Sequence, residues 1–465
     1  MGPVQTKRVK GMNRIIVILL LACLIALSGC SDLTHSATTT TTTITPVYNT
    51  PNPTYFAEDL GAITAGLDGN LWFTEPYGNR IGKISPVTGT VTDYATPTDY
   101  VYPYGITGGP DGNLWFTEQS GNRIGKISSS TGDTIEYSIP GNSNTHNFSN
   151  SITSGPDGNL WFTESDGDKI GKLSPTNNET INYIVPTANG WITSITAGPD
   201  GNLWFTISSE PPGNSGNLVG KISLKDGRIT EYIVPTANTN PYAITSGPDG
   251  ALWFTETYGN KIGKISPSNG KIIEYSISTP NGHPSYITVG PDGNLWFIEY
   301  SVSNGTQIGK ISPSNGEVTE YPVPGAEKAS LNGIIAGPDG DLWFTETYGN
   351  KIGKISPSNG KIVEYPISTP NSQPSYITVG PDGNLWFIEY SVSNGNQIGK
   401  ISPSNGEVTE YPVPGAEKAS LNGIIAGPDG NLWFTMSFNI NGTSGSKIGK
   451  ISPSTGIIAE YLVDY

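Results

Sequence analysis

Residues 109–118 read Gly-Pro-Asp-Gly-Asn-Leu-Trp-Phe-Thr-Glu, and this stretch recurs nine times along the chain with small changes. Its tryptophans are spaced by 43 to 49 residues and lie at Trp72, Trp115, Trp161, Trp204, Trp253, Trp296, Trp343, Trp386 and Trp433. A period in this range is typical of repeat architectures, in which each repeat is one supersecondary unit. The period therefore guides the interpretation of the whole chain.

One repeat, residues 106–140, predicts four short antiparallel strands joined by tight turns. Residues 110–113 combine Pro, Asp and Gly, which favour a turn because Pro fixes φ and Gly tolerates positive φ. Residues 114–118 carry apolar side chains on both faces, so we expect this strand to be covered on both sides. Residues 124–128 and 135–139 supply the two remaining strands, and the last alternates like a half-exposed outer strand.

Nine such sheets can bury their faces only by stacking on one another. Four strands in roughly 40–45 residues are typical of a β-propeller blade. The sequence therefore predicts an all-β fold, a single β-propeller of four-stranded antiparallel blades, with the repeated tryptophans packed between the blades. A solenoid is the rival architecture, but it needs distinct terminal caps and the sequence has none.

The later repeats record a duplication. Residues 258–343 are nearly identical to residues 348–433, which indicates that two units were copied as a pair from a seven-bladed ancestor. Either all nine units close into one ring, or seven close and two remain with exposed apolar faces, which soluble proteins avoid. We expect a nine-bladed ring. Because residues 62–65 and 457–463 give the first and last repeats their own strands, we expect closure by face packing, with 47–55 as a possible extra edge strand.

The N-terminal segment has the features of a secretory signal. Basic residues precede an apolar run at 15–27, and the Leu-Ser-Gly-Cys sequence ending at Cys30 resembles a bacterial lipoprotein box. We predict a lipoprotein signal peptide at 1–29, lipidation of Cys30, a Ser/Thr/Pro-rich tether at 30–56 and the propeller at 57–465. The protein would then be secreted across the inner membrane and held at the cell envelope by its lipid alone. A non-lipidated secretory signal is the alternative.

Net charge and cysteine content argue against some kinds of partner and chemistry. The chain has a formal net charge of −15, which repels nucleic acid. Its two cysteines are Cys23, inside the signal, and Cys30, so the mature protein has no disulfide and no thiol for metal binding or catalysis. We expect a monomer that does not bind nucleic acid.

The repeated units Gly-Asn-Leu-Trp-Phe-Thr-Glu, Asn-Lys-Ile-Gly-Lys-Ile and Ile-Thr-Glu-Tyr resemble those of the virginiamycin B lyase (streptogramin lyase) family, over about residues 57–465. The resemblance implies a β-propeller. It also implies Mg²⁺-dependent elimination that opens a cyclic depsipeptide, with catalytic histidines in Pro-His-Ala-Ile or Pro-His-Gly-Ile segments at the first strand of a blade. A glutamate stands two residues before one of these histidines.

This chain departs from the family at those positions. The positions that match the histidine hold Gly61, Tyr104, Asn150, Thr193, Tyr242, Ser285, Asn332, Ser375 and Asn422. The positions that match the glutamate hold Asp59, Tyr102, Phe148, Trp191, Asn240, His283, Ser330, Gln373 and Ser420. We therefore predict no catalytic residues and a non-catalytic binding module. The alternative is a carbon–oxygen lyase with non-standard catalytic residues, which alone would require Mg²⁺.

Seven glutamates follow the Trp-Phe-Thr or Trp-Phe-Ile motif and are weak candidates for a metal site. They are Glu75, Glu118, Glu164, Glu256, Glu299, Glu346 and Glu389. A ring of carboxylates at a channel mouth could hold a cation. Alternatively, each glutamate caps a turn or pairs with a repeated lysine such as Lys83, Lys126, Lys172 or Lys264.

Aromatic side chains in the loops between blades are the candidate ligand-binding residues. They are Tyr102, Tyr104, Trp191, Tyr242, His283, Tyr286 and Tyr376. Such rings can stack on a sugar or an apolar ligand, so a small molecule, a glycan or a protein is the expected partner. The alternative is that these rings only pack at the ends of the blades.

Overall fold

The structure is a computed structural model that describes residues 60–120, 123–139, 149–164, 169–187, 190–208, 217–301, 305–325, 330–391, 395–416, 419–440 and 443–463. The predicted signal peptide, Cys30, the tether and the possible strand at 47–55 lie outside these ranges. Within them, no helix is long and apolar enough to span a membrane.

In the described residues, thirty-six strands form nine four-stranded antiparallel sheets, the blades, each built from consecutive strands. Blades 1 to 3 consist of β1 (Ile63–Ala65), β2 (Leu71–Glu75), β3 (Arg80–Ile84), β4 (Val91–Ala95), β5 (Pro103–Gly108), β6 (Leu114–Glu118), β7 (Arg123–Ile127), β8 (Thr134–Ser138), β9 (Ser149–Ser154), β10 (Leu160–Glu164), β11 (Lys169–Leu173) and β12 (Thr180–Ile184). Blades 4 to 6 consist of β13 (Trp191–Ala197), β14 (Leu203–Ser208), β15 (Leu218–Ile222), β16 (Ile229–Ile233), β17 (Pro241–Ser246), β18 (Leu252–Glu256), β19 (Lys261–Ile265), β20 (Ile272–Ser276), β21 (His283–Val289), β22 (Leu295–Ser301), β23 (Gly305–Ile311) and β24 (Val318–Pro322). Blades 7 to 9 consist of β25 (Leu331–Ala336), β26 (Leu342–Glu346), β27 (Lys351–Ile355), β28 (Ile362–Pro366), β29 (Gln373–Val379), β30 (Leu385–Tyr390), β31 (Gln397–Ile401), β32 (Val408–Pro412), β33 (Ala419–Ala426), β34 (Leu432–Ile440), β35 (Thr443–Ile451) and β36 (Ile458–Val463).

Glycines set the spacing inside each blade, as blade 2 illustrates. Phe116 pairs with Gly125 across β6 and β7, and a Cβ on Gly125 would lie 2.0 Å from the phenyl ring. The close neighbour of this glycine is thus the phenyl ring of Phe116. The indole of Trp115 instead packs on Gly109 in the preceding turn, where a Cβ would lie 2.4 Å away.

The hydrophobic core lies between successive blades. Trp115 and Ile124 of blade 2 pack against Leu160 and Phe162 of blade 3. Equivalent clusters fill the other eight interfaces. All nine repeated tryptophans are buried, as predicted, because each indole is covered by the next blade.

The ring closes between blade 9 and blade 1. Trp433 and Ile448 pack against Leu71 and Phe73, so the last blade meets the first as any other neighbour would. Lys450 also donates from Nζ to the carbonyl of Pro86, at 3.0 Å. In the described part of the chain no sheet borrows a strand from another repeat. The prediction of a nine-bladed ring closed by face packing is confirmed.

Candidate functional site

The two ends of each blade differ in the links found there. In blade 2, Pro103 pairs with Glu118, Glu118 with Arg123, and Arg123 with Ser138, so these four residues mark one end of the sheet. The links between blades and the turn from the second to the third strand lie at this end, which we call the connector end. The opposite end, with the Pro-Asp-Gly turns, is the turn end.

A β-bulge interrupts the first strand of eight blades at the connector end. The pairing shifts between Pro103 and Ile106 in blade 2, and between Pro241 and Ile244 in blade 5. The same shift occurs in blades 3, 4, 6, 7, 8 and 9. Bulges redirect side chains and are frequent next to active sites. The positions that match the family's histidine lie at or beside these bulges.

The bulges are held by neighbouring blades through a repeated threonine. Thr74 accepts a hydrogen bond from the amide of Ala62 at 2.9 Å and donates to the carbonyl of Tyr104 in the next blade at 2.7 Å. Two further pairs repeat the second bond, Thr206 with Tyr242 and Thr255 with Ser285. Isoleucine replaces this threonine in blades 6 and 8, at Ile298 and Ile388. At these three junctions the threonine of one blade therefore holds the bulged backbone of the next blade.

Six of the seven candidate residues lie on the bulged first strands, and four of them lie within the bulges themselves. Tyr104 and Tyr242 are half-buried within the bulges of blades 2 and 5. Tyr286 packs against the cluster between blades 6 and 7, and Tyr376 packs against the cluster between blades 8 and 9. The rings of Tyr286 and Tyr376 thus contribute to blade interfaces.

Two of the other candidates form edge-to-face pairs at blade junctions. Tyr102 meets Tyr77 of blade 1 with ring centroids 5.6 Å apart. His283 meets Tyr258 of blade 5 in the same way at 5.7 Å, and its Nδ1 lies 3.0 Å from the carbonyl of Thr257. Since that carbonyl can only accept a hydrogen bond, Nδ1 carries the proton and Nε2 of the neutral ring is an acceptor.

The structure also reveals exposed aromatic residues that the sequence reasoning missed. Trp191 was a candidate, and its side chain is 57% exposed. Large exposed rings at the same end, unpredicted, are Tyr77, Tyr100, Tyr258, Tyr300, Tyr348 and Tyr390. Most of these tyrosines follow the strand glutamate within two residues, as in Glu-Thr-Tyr-Gly-Asn or Ile-Glu-Tyr. This position after the glutamate is the sequence feature that could have identified them. The connector end thus carries a broken ring of exposed aromatic side chains.

The glutamates that were weak metal candidates are buried inside their own blades. Glu75, Glu118, Glu256, Glu299, Glu346 and Glu389 have exposures of 0–1%, and the side chain of Glu164 lies outside the described ones. Among the described residues, no three His, Cys, Asp or Glu side chains come together as a metal-binding group. The structure assigns no metal ligand among them.

The alternative that these glutamates pair with the repeated lysines is wrong. Lys126 binds Asp111 of the turn end at 2.8 Å, and its Nζ lies 5.0 Å from the centroid of the Trp115 ring. The other lysines named above pair likewise, Lys83 with Asp68, Lys172 with Asp157 and Lys264 with Asp249. The physical reason is strand alternation, because Lys126 pairs with Trp115 in register whereas Glu118 lies on the opposite face.

Seven turn-end aspartates have a pKa below its usual value, namely Asp68, Asp111, Asp157, Asp200, Asp249, Asp292 and Asp429. Burial acts to raise the pKa of Asp111, but the ammonium of Lys126, the indole N–H of Trp115 and Asn113 outweigh it and hold that pKa below its usual value. The indole nitrogen of Trp115 donates to Asp111 Oδ1 at 3.0 Å. This Asp–Lys–Trp unit links the turn to the strands behind it in every complete copy.

Each buried glutamate instead lies against a second acid on the outer strand of its blade. The six acid pairs are Glu75 with Asp93, Glu118 with Glu136, Glu256 with Glu274, Glu299 with Glu320, Glu346 with Glu364 and Glu389 with Glu410. Gly125 stands opposite Glu136 in the register, and the phenyl ring of Phe116 covers this glycine. Burial, followed by the charge of Glu136, raises the pKa of Glu118 to about 8.

Comparison with known proteins identifies a family that matches this chain. A model described as the virginiamycin B lyase family matches residues 37–210, 143–330 and 299–464, which together cover residues 37–464. A search of curated proteins finds no match.

Solved structures of that family are also similar. A selenomethionine-substituted virginiamycin B lyase from Staphylococcus aureus is 38% identical, with 61% of this chain and 89% of that chain covered and a TM-score of 0.45. A catalytically inactive histidine-to-alanine variant from the same organism, with quinupristin, is 37% identical, with 64% and 92% covered and a TM-score of 0.45. A streptogramin B lyase is 33% identical, with 72% and 92% covered and a TM-score of 0.44.

Proposed function

The chain belongs to the virginiamycin B lyase family, and within that family we propose that it is a ligand-binding module of the cell envelope rather than a lyase. The binding surface is the connector end, where the bulged first strands and the exposed aromatic residues lie. The partner is a small molecule, a glycan or a protein segment with a face on which tyrosine and tryptophan rings can stack.

The observation that carries this proposal is the absence of histidine from all nine positions that match the family's catalytic residue. Replacing one histidine by alanine accompanies catalytic inactivity in the Staphylococcus aureus relative with quinupristin. An elimination needs a base near the proton that is removed and an acid or metal at the leaving oxygen. Tyrosine, serine, threonine, asparagine and glycine occupy those positions here.

The proposed location rests on the N-terminal sequence. A basic segment, an apolar core and the Leu-Ser-Gly-Cys sequence ending at Cys30 would direct secretion and lipidation. The Ser/Thr/Pro-rich segment that follows would hold the propeller away from the membrane surface. We expect labelled fatty acid to be incorporated into the protein, and the Cys30→Ala variant to lose that label.

A second function is favoured by one specific observation. Two segments, Pro103-Tyr104-Gly105-Ile106 and Pro241-Tyr242-Ala243-Ile244, keep the family's catalytic segment except that tyrosine replaces histidine. A tyrosine hydroxyl can act as a general acid or base. The described residues offer no cluster of three His, Cys, Asp or Glu side chains for the family's Mg²⁺, so no step of this reaction is assigned to a metal here.

A cleavage assay separates the two functions. The purified protein is incubated with quinupristin and Mg²⁺, beside the active Staphylococcus aureus relative, and the products are separated and weighed by mass spectrometry. Elimination opens the ring without a change in mass, whereas hydrolysis adds one water. We expect no product. A linear product of unchanged mass that disappears in Tyr104→Phe or Tyr242→Phe would establish the lyase instead.

Binding itself can be followed through Trp191. The nine repeated tryptophans are 0–1% exposed, so Trp191 is the one indole of the ten that a ligand at the connector end can reach directly. We expect a ligand to change the fluorescence of the wild-type protein and not that of Trp191→Phe. Arrays of neutral glycans and of peptides, screened with this pair of proteins, would identify the class of partner.

A further inference from the structure

The outer acid of an acid pair also holds the connector that enters its blade. Glu136 of blade 2 accepts the amide of Thr98 at 2.8 Å and the hydroxyl of the same residue at 2.6 Å. Thr98 lies in the connector from blade 1 to blade 2, just before Tyr100 and Tyr102. One carboxylate thus fixes a segment that carries two aromatic side chains of the connector end.

The same grip recurs in three other blades with a complete acid pair. The amides of the connector threonines donate to the outer acid, Thr236 to Glu274 at 3.0 Å, Thr279 to Glu320 at 3.1 Å and Thr369 to Glu410 at 2.9 Å. An ionised carboxylate accepts hydrogen bonds more strongly than a neutral carboxylic acid does. These contacts therefore favour the ionised form of the outer acid. We call these four arrangements, in blades 2, 5, 6 and 8, the connector latches.

The inner glutamate of each latch is left without enough positive charge. In blade 2, Arg123 faces both acids, and its Nε lies 3.8 Å from Glu136. Neither oxygen of Glu118 receives a hydrogen bond from an N–H or hydroxyl group. The buried carboxylate of Glu118 and the half-buried one of Glu136, with one base, leave a net negative charge, and burial makes an uncompensated charge costly.

The imbalance is larger in blades 6 and 8. There the base of the third strand is replaced by Gln307 and Gln397, whose amides donate to the connector residues Thr279 and Thr369. Lys261 supplies the base in blade 5, where its Nζ lies 3.4 Å from Glu274. The latches of blades 6 and 8 thus have a glutamine where the latches of blades 2 and 5 have a basic side chain.

We propose that each connector latch binds one proton between its two acids, and that this proton keeps the connector closed over the blade. The inner glutamate carries the proton, and the outer acid stays ionised on the connector. When the proton leaves for solvent, the two facing carboxylates repel each other. The half-buried outer acid can relieve this repulsion by turning further into water and releasing its threonine, so the connector and its aromatic side chains loosen.

The two acids of the blade 5 latch differ in the direction of their pKa shifts, as the proposal requires. Burial, followed by the charge of Glu274, raises the pKa of Glu256 to about 8. Burial acts to raise the pKa of Glu274 as well, but the amide and hydroxyl of Thr236 and the charge of Lys261 outweigh it and lower that pKa. Pairs whose environments separate their titrations in this way share a single proton near neutral pH.

Blade 4 provides an internal control. Its outer acid Glu231 accepts the amide and the hydroxyl of Thr187, each at 3.0 Å, as in a latch. The inner position holds Ile207, so this connector has the same grip but no second acid. Its stability should not respond to the loss of a shared proton.

Hydrogen exchange with peptide-level mass spectrometry tests the proposal on the whole protein. Protection factors, corrected for intrinsic exchange, are compared at about pH 6 and about pH 9, on either side of the pKa of about 8 of Glu256. We expect connector residues 96–102, 236–241, 277–282 and 367–372 to lose protection by at least about tenfold at the higher pH, while the connector at Thr187 does not change. Equal behaviour of all five connectors would overturn the proposal.

The isosteric variant Glu299→Gln supplies the decisive comparison. Glutamine has the shape of the protonated acid and no charge, so connector 277–282 should keep its protection at about pH 9 while connector 367–372, with Glu389 intact, loses it. Loss of protection in both would contradict the shared proton. If Ca²⁺ or Mg²⁺ restores protection to the wild type but not to Glu299→Gln, the latch binds a cation and the proton proposal fails.

Discussion

The turn end and the connector end of the blades are built from the same repeats but behave as opposites. At the turn end, aspartate, lysine and tryptophan meet in nearly every blade with the same geometry. At the connector end, the bulge residues differ from blade to blade, and so do the acids and the aromatic side chains.

The difference has a physical cause. The turn-end unit is assembled largely from one repeat, as Asp111, Trp115 and Lys126 show, so a copied blade carries its own turn end with it. The connector end depends on neighbours, because Thr74 holds the bulge of the next blade and Glu136 holds the preceding connector. Changes there alter local contacts without opening the core. Stability is therefore concentrated at the turn end and variation at the connector end.

We expect the largest loss of stability when a buried tryptophan of the turn-end unit is removed. Trp343→Ala removes an indole that is fully buried between blades 7 and 8, and such changes cost about 3–5 kcal/mol. Trp253→Ala should cost a similar amount, because its surroundings repeat those of Trp343. Thermal unfolding measures both. The matched control is Trp191→Ala at the connector end, where a 57% exposed side chain should contribute less than about 0.5 kcal/mol.

The next effect concerns the polar part of the same unit. Asp249→Ala removes the acceptor of the Trp253 indole N–H, at 3.1 Å, and the partner of Lys264, at 2.6 Å. The loss should be about 1–3 kcal/mol, since a buried donor is left unpaired. Asp249→Asn keeps an acceptor for the indole and should lose less. Equal losses for the two variants would show that the ion pair, not the indole hydrogen bond, dominates.

The acids at the two ends should also lower the free energy of unfolding at opposite extremes of pH. Burial opposes ionisation of Asp249, but Lys264 and Trp253 hold its pKa below the usual 3.8, so its contribution is present above that value and is lost as pH falls through the lowered pKa. Burial and Glu274 raise the pKa of Glu256 to about 8, so its contribution is present below pH 4.5 and is lost as pH rises toward 8. Each such group changes the free energy of unfolding by up to about 1.4 kcal/mol per pH unit.

Thermal melts at constant ionic strength measure this profile. We expect the unfolding temperature to be highest at mildly acidic pH and to fall as pH rises to about 9, the alkaline limb of Glu256 and its equivalents. Glu256→Gln should flatten the alkaline limb and leave the acid limb unchanged. Glu407, exposed at the turn end, is the control, and Glu407→Gln should alter neither limb. An unfolding temperature that rises from pH 6 to pH 9 would contradict the assignment of protonated acids.

The sequence predicts the fold well because the same pattern of turn residues and apolar runs occurs in every repeat. The spacing of tryptophans predicts nine blades, and strand bounds such as Leu114–Glu118 follow directly from the apolar run between turn residues. The first and last strands were predicted at 62–65 and 457–463 and are found at Ile63–Ala65 and Ile458–Val463. Local patterning decides these features, so one sequence suffices.

The candidate site was predicted only in part. The pairing of Glu118 with Lys126 fails on strand alternation, which the sequence already contained. The pairing of Glu118 with Glu136 could not be foreseen, because it depends on the register of three strands. The edge-to-face pair of Tyr258 and His283 depends on how two blades meet, which no single repeat encodes.

The duplicated blades offer a second, finer comparison at the connector end. The junction of blades 5 and 6 and the junction of blades 7 and 8 have almost the same sequence. At the first, His283 covers Tyr258; at the second, Gln373 takes its place and Tyr348 is more exposed, at 67% against 49%. Ser372 also donates to Glu389 at 2.8 Å, where the first copy has Gly282. Four of the six differences between the two copies lie at this end, whereas Asp341 and Asn431 differ at the turn end.

The smallest expected effect exchanges these two residues. His283→Gln removes the ring beside Tyr258 and should change the free energy of unfolding by less than about 0.5 kcal/mol, because His283 is half-buried at the surface. Nitration of tyrosines, read by mass spectrometry, should become faster at Tyr258 and approach the rate of Tyr348. Gln373→His should slow nitration at Tyr348 and leave Tyr258 unchanged. If neither exchange alters the two rates, the difference in exposure comes from the backbone of the junctions rather than from the imidazole ring.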